Sequence, residues 1–176
     1  MILSFDLATQ TGWAVGAREP VLGSRRLCRG GTRPHSEVGA GLIRLMQELI
    51  EEYEPELILF EEPIKRIIQE ADTKNKRKIK LNPHTLYRLG GLAFTCEAMA
   101  GLWNIPVQPV NMHKARAMFL GRGGVPIGRD KVKAAVMEGC RLRGWNPAND
   151  DEGDAACIWA THAKDAVGSP LFARNA

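Results

Sequence analysis

Two short apolar runs that end in carboxylates constrain the fold of this chain more than any other feature. The run ILSF leads into Asp6, and the run LILF leads into Glu61 and Glu62. Such runs are typical of buried strands, and an acid at the end of a buried strand is costly unless its charge is neutralised. A third acidic group, Asp151 and Asp154, opens the late helix-like segment DEGDAACIWATH. Three such places in one small chain predict that the acids converge on divalent metal ions, as in a metal-dependent nuclease.

The predicted order of elements indicates an α/β fold. Strands are expected at 1–7, 13–17 and near 21–28, with Thr11-Gly12 as the first turn, and this short spacing favours an antiparallel three-strand meander. Periodicity then predicts a helix, a strand, a helix, a strand and three helices, at 36–53, 57–61, 84–103, 105–110, 111–119, 129–143 and 151–166. The fold class is therefore α/β, a mixed sheet in which parallel strands follow the meander, flanked by helices.

Length and composition set the outer limits of the prediction. A chain of 176 residues suits one domain, which we place at 1–168, with a loose C-terminal tail at 169–176. The net charge is +4, but the acids cluster, so the remaining surface is more basic and suits a polyanionic partner. The four cysteines form no CxxC pair, which excludes zinc-knuckle and thioredoxin-like sites. No apolar run approaches the ~20 residues that span a bilayer, so we expect no membrane association and a cytoplasmic location.

The acids suit phosphodiester hydrolysis, which two Mg²⁺ ions about 3.5–4 Å apart can promote. Magnesium prefers oxygen ligands and needs few carboxylates. Asp151 and Asp154 are three residues apart, so on a helix they share a face. Alternation along the strand puts Glu61 and Glu62 on opposite faces, and we expect Glu61 to reach the metals. The alternative for the last pair is that Asp150 and Asp151 cap the final helix.

Five segments of the sequence resemble RuvC-type Holliday junction resolvases. DLATQTGWAV resembles the opening strand and turn of that family, ILFEEP its buried strand with a catalytic Glu, and DDEGDAACIWATH its terminal Asp-x-x-Asp-Ala helix. TLYRLGGLAFTCEA and GRDKVKAAV resemble two helices between them, and the likeness runs in order over about residues 1–165. The resemblance implies an RNase H-like fold and a homodimer that nicks branched DNA, such as a four-way junction, symmetrically with Mg²⁺ or Mn²⁺.

By position, the resemblance assigns roles to five residues. Asp6, Glu61, Asp151 and Asp154 would be the catalytic acids and the ligands of two metal ions, and Lys131 would be a basic catalytic residue near the scissile phosphate. The implied reaction is two-metal hydrolysis that leaves a 5′-phosphate and a 3′-hydroxyl.

DNA binding is where the sequence departs from the family pattern. Pro63-Ile64 stands where the family tends to carry a base-stacking aromatic, and the following segment is longer and more basic. Its cations are candidates for phosphate contacts, together with two arginines beside the glycine-rich loop 121–128. The candidate DNA-binding residues are Lys74, Lys76, Arg77, Lys78, Lys80, Arg122 and Arg129. The alternative is that 74–80 is a solvated, flexible loop.

The acids alone leave the substrate open. An RNase H-fold nuclease acting on RNA, or on flap or fork DNA, would carry the same acids, and a catalytically inactive nucleic-acid-binding module stays a further alternative. Gly90-Gly91 in the helix 84–103 would let a second helix approach closely, which makes this helix a candidate for the dimer contact.

Overall fold

The computed structural model describes residues 1–29, 34–63, 83–121 and 128–163. Five strands and five helices lie within these ranges. In chain order they are β1 (Ile2–Asp6), β2 (Gln10–Gly16), β3 (Val21–Arg26), α1 (His35–Tyr53), β4 (Leu57–Glu61), α2 (Pro83–Leu102), β5 (Val107–Val110), α3 (Met112–Leu120), α4 (Arg129–Arg141) and α5 (Asp150–Ala160).

The strands of the described residues form one mixed sheet in the order β3-β2-β1-β4-β5. β1 pairs antiparallel with β2, and β2 pairs antiparallel with β3. β4 pairs parallel with both β1 and β5. The predicted α/β architecture, a meander with parallel strands beside it, is therefore confirmed.

The Thr11-Gly12 pair lies inside β2 and not in the turn that the sequence predicts. Thr11 is buried, and its hydroxyl donates to the Ala8 carbonyl at 2.7 Å. Gly12 pairs across the sheet with Asp6. A Cβ on Gly12 would overlap the backbone carbonyl of Asp151. The glycine therefore serves the close approach of α5 to the sheet, and not the turn.

One face of the sheet carries the larger apolar side chains. Leu3 and Phe5 of β1 and Ile58 and Phe60 of β4 pack there in one cluster with α1 and α2. Helix α1 has the 3–4-residue periodicity of an amphipathic helix, and its buried side follows that pattern. The buried residues of α1 are Val38, Gly41, Leu42, Leu45, Met46, Leu49 and Ile50.

The opposite face is covered by α5, which contacts β1, β2, β3 and β4 and is itself covered by α3 and α4. This interface includes the small residues Ala14 of β2 and Ala155 and Ala156 of α5, and the large Trp159. Ser4 is fully buried there, and its hydroxyl donates to the Ala155 carbonyl at 2.8 Å. The small residues bring the helix backbone close to the strands.

Helix ends differ from the predicted ones by a few residues. Helix α5 ends at Ala160 rather than near 166, and α4 ends at Arg141 rather than near 143. Residues 164–176 lie outside the described residues, so the proposed domain end and tail stay predictions. No helix in the described part of the chain is long and apolar enough to cross a membrane.

Candidate active site

The four acids that the sequence singled out come together at one end of the sheet. β1 and β4 are parallel neighbours, so Asp6 and Glu61 leave the sheet at the same end. Helix α5 lies across β1 and brings Asp151 and Asp154 to this end. The pKa of Asp6 lies well above its usual value because the carboxyl is buried and faces the charges of Asp154, Glu61 and Asp151. Asp6 is also within hydrogen-bonding reach of Glu61.

The cap of α5 leaves its aspartates available to the site. Asn149 is the N-cap, and its side chain accepts a hydrogen bond from the Glu152 amide at 3.0 Å. The Glu152 carboxylate accepts from the Ala148 amide at 2.7 Å and from the Ser24 hydroxyl at 2.9 Å. Asp150 and Asp151 therefore do not cap the helix, in contrast to the alternative drawn from the sequence. Glu152 instead ties the start of α5 to β3.

Arg116 of α3 is the site residue that the sequence analysis did not assign to the acids. Its Nε and Nη2 donate to the two Asp154 carboxylate oxygens at 3.0 and 2.5 Å. Burial lowers the pKa of Arg116, but the hydrogen bond and charge of Asp154 outweigh this effect, and the pKa is raised. Such bidentate pairs have a fixed geometry. The chain order offered one clue to Arg116. In a parallel sheet, the end of β5 lies beside the end of β4, where Val110 pairs with Glu61, and α3 begins two residues later.

Among the described residues, Lys133 is a second lysine beside the acids, which the sequence analysis did not assign. Lys133 forms an ion pair with Asp150, and its charge opposes the rise of the Asp151 pKa that burial and the Asp150 charge cause. Lys131 is exposed on α4. Residues two positions apart on a helix are separated by roughly 200° around its axis, so the side chains of Lys131 and Lys133 point in different directions. A catalytic role for Lys131 stays a prediction.

The two glutamates at the end of β4 lie in different surroundings. Glu61 contributes to the raised pKa of Asp6. Glu62 accepts a hydrogen bond from the Asn111 side chain at 3.5 Å. Both line a small hollow with Leu7 and Leu89. The position of Glu61 agrees with the parity argument, while its role as a metal ligand stays a prediction.

The donor set fits Mg²⁺ or Mn²⁺ by its chemistry. Four carboxylates supply the hard oxygen ligands that these ions prefer. Burial, together with the charges of the other three acids, raises the pKa of Asp6. Arg116 binds both oxygens of Asp154. Among the described residues, no group of three or more His, Cys, Asp or Glu side chains is already arranged around a common metal position.

Most of the predicted DNA-binding residues lie outside the described residues. These are Lys74, Lys76, Arg77, Lys78, Lys80 and Arg122. Arg129 begins α4, and its side chain also lies outside the described part.

The sheet order and the helix positions define an RNase H-like α/β fold. No family model matches the sequence, and no curated protein matches it. Among solved structures, RuvC of T. thermophilus in complex with a Holliday junction substrate is similar to this chain at 18% identity, with a TM-score of 0.66 and 92% of each chain covered. A second structure of Thermus thermophilus RuvC has 19% identity and a TM-score of 0.59, covering 93% of this chain and 95% of that one.

The yeast mitochondrial Holliday junction resolvase Ydc2 is also similar, at 16% identity and a TM-score of 0.58, covering 94% of this chain and 77% of that one. The chain therefore has the fold of RuvC-type resolvases, and the resemblance predicted from the sequence motifs is confirmed at the level of the fold.

Proposed function

We propose that the chain is a metal-dependent endonuclease that resolves Holliday junctions or related branched DNA by symmetric nicking. The observation that carries this proposal is the meeting of Asp6, Glu61, Asp151 and Asp154, which together with burial raises the pKa of Asp6. Perturbed pKa values of this kind concentrate at functional sites. The RuvC-type fold and the RuvC structure solved with a Holliday junction support the choice of substrate.

The four carboxylates would hold two divalent cations, Mg²⁺ or Mn²⁺. When bound, such ions neutralise charge on the phosphoryl group and make water a better nucleophile. Asp6 lies within electrostatic reach of the other three acids and would be one of the ligands. The products would carry a 5′-phosphate and a 3′-hydroxyl.

The basic groups around the acids would neutralise the negative charge of the DNA phosphates. Arg116 presents a planar fork that suits phosphate as well as carboxylate, and it borders the acids through Asp154. Lys133 of α4 forms an ion pair with Asp150 at the start of α5. Lys131 and the cations of 74–80, with Arg122 and Arg129, would contact other phosphates of the DNA.

The test is cleavage of a synthetic mobile four-way junction in Mg²⁺, with a Y-fork, an RNA hairpin and linear duplex as comparison substrates. We expect paired nicks in the junction, loss of cutting in EDTA, and loss of cutting with retained binding for Asp6→Asn. Asp130→Asn is the matched control because Asp130 is exposed on α4. If Asp6→Asn cuts as fast as the wild-type protein, the proposed role of the acids is wrong.

We also propose a homodimer whose contact is an exposed apolar stripe on α2. Tyr87, Phe94 and Leu102 are 70%, 71% and 78% exposed. Gly90 and Gly91 lie on the same side, and a Cβ at either would meet open space. Large exposed apolar surfaces of this kind mark association sites, and a symmetric junction calls for two active sites related by a two-fold axis.

Sedimentation velocity at micromolar concentration tests the dimer. Leu102→Glu is expected to shift the protein from dimer to monomer and to abolish paired nicking. Leu142→Glu is the matched control, because Leu142 is also exposed but follows α4 as its C-cap residue. A wild-type protein that sediments as a monomer throughout would refute the dimer.

A further inference from the structure

A groove rich in arginine lies between the end of β3 and α1, outside the acidic site. We call it the arginine groove, and its cavity is about 430 Å³. Its charged lining residues are Arg25, Arg26, Arg29, Arg44, Glu37 and Glu48. Its floor includes Leu27 and Gly41, which are buried, and a Cβ on Gly41 would overlap the Leu27 carbonyl. The close contact between α1 and this segment therefore fixes the shape of the floor.

The charge of the arginine groove favours an anion. The lining residues include four arginines and two glutamates, which leaves an excess of two positive charges. Glu48 already accepts from Arg25 at 2.6 Å. Arg26, Arg29 and Arg44 are exposed to solvent. Arginine stays charged at any physiological pH and binds phosphate through a planar fork, so the groove is suited to phosphate groups.

The strand register places the arginine groove at the same end of the sheet as the acids. Asp6 pairs with Gly12, Gly12 pairs with Ser24, and Arg26 lies two residues beyond Ser24. Neighbouring strands are about 4.8 Å apart and residues rise about 3.4 Å along a strand, so the Cα of Arg26 lies about 12 Å from that of Asp6. One strand of duplex DNA advances about 3.4 Å per nucleotide along the axis. The distance corresponds to about three to four nucleotides.

We propose that the arginine groove binds the phosphate backbone of one DNA arm, about three to four nucleotides from the phosphate that is cut. The proposal rests on the nuclease function proposed above. It assigns arm binding to a surface of β3 and α1, in addition to any contact that the basic segment 74–80 makes. The common sheet end supports DNA over an acidic peptide or a small anion as the occupant, because one backbone can reach both the groove and the acids.

The first test measures binding in the full-length Asp6→Asn background, which removes cleavage. Arg26→Glu and Arg44→Glu are each expected to weaken binding of a four-way junction about tenfold at 0.1 M salt, and to lower the slope of log K against log[salt] by about one or more. Arg18→Glu is the control, since Arg18 is exposed in the β2–β3 turn at the opposite end of the sheet. Equal affinities and slopes for the groove variants and the control would overturn the proposal.

The second test locates the contact. Ethylation of phosphates three or four nucleotides from the cut should weaken binding of the Asp6→Asn protein but have little further effect on the Arg26→Glu variant of it. The same interference pattern in both proteins would contradict the assignment. Junction cleavage by the otherwise wild-type protein is scored separately. Groove-dependent binding without any cleavage would refute the proposed nuclease function but support the arginine groove as a DNA-binding site. Cleavage with an unchanged KM in Arg26→Glu would support the nuclease function but refute the role of the groove.

Discussion

The two faces of the sheet are packed with side chains of different size and polarity. The face under α1 and α2 packs large apolar side chains such as Leu42 and Phe60. The face under α5 packs small residues such as Ala14 and Ala155 beside the large, fully buried Trp159. It also buries the polar groups Ser4, Glu152 and Asp154. Large apolar side chains contribute most of the free energy of burial. Small side chains contribute less, but they let two backbones approach closely.

We therefore expect both faces to contribute stability, and the α5 face also to position the acids. Catalytic groups must be held within a fraction of an ångström by their supports. On the α5 face, the support is backbone contact and buried hydrogen bonds, including the bond from Ser4 to the residue after Asp154. Mutations on the two faces should therefore have different effects on unfolding and on cleavage.

The largest expected effect comes from Glu61→Gln. Glu61 contacts Asp6 on the α5 side, so its loss should lower the cleavage rate by about 10³-fold, or about 4 kcal/mol of transition-state stabilisation. Glu62→Gln is the matched control, and we expect less than tenfold loss. Single-turnover cleavage of a four-way junction measures both. Equal losses for the two variants would mean that the faces at the end of β4 are not functionally distinct.

The second comparison uses one glycine from each face. A Cβ at Gly12 would overlap the Asp151 backbone, and a Cβ at Gly41 would overlap the Leu27 backbone. Each alanine variant should lose about 1–3 kcal/mol of unfolding free energy from overpacking. Only Gly12→Ala should also lose cleavage activity, by about 100-fold, because it displaces the start of α5. Urea unfolding and cleavage well below both melting temperatures separate the effects, and a fully active Gly12→Ala protein would contradict this role.

The sequence predicted what depends on local pattern. Apolar runs and helical periodicity located the strands and helices within a few residues, and the acids at the ends of β1 and β4 followed from strand parity. It missed what depends on packing between distant segments. Arg116 reaches Asp154 across 38 residues, and Gly12 was assigned to a turn because only the packed structure brings α5 against β2.

A third, smaller effect concerns the stability of the metal-free protein. The native pKa of Asp6 is raised above its ordinary value of 3.8, so the native state keeps a proton that the unfolded state releases. Unfolding free energy is therefore lost as pH rises from about 3.8 through the native pKa. Asp6→Asn should raise the melting temperature in EDTA at pH 7, with a smaller gain near pH 4.

Mg²⁺ sharpens this comparison, because an ion that binds only the native state stabilises it. Mg²⁺ should raise the melting temperature of the wild-type protein and have little effect on Asp6→Asn. Glu19→Gln serves as the control, since Glu19 is exposed at the opposite end of the sheet. A wild-type protein that is more stable than Asp6→Asn in EDTA at pH 7 would contradict the charge crowding.

The smallest expected effect tests whether a buried hydrogen bond on the α5 face matters more than an exposed one within α2. The Ser4 hydroxyl donates to the Ala155 carbonyl at 2.8 Å, and the Thr95 hydroxyl donates to the Gly91 carbonyl at 2.8 Å. Ser4→Ala should cost about 1 kcal/mol of unfolding free energy because the bond is buried. Thr95→Ala should cost almost nothing, since alanine has the higher helix propensity. Equal costs in urea unfolding would mean that Ser4 adds no more to the α5 interface than a surface hydroxyl does.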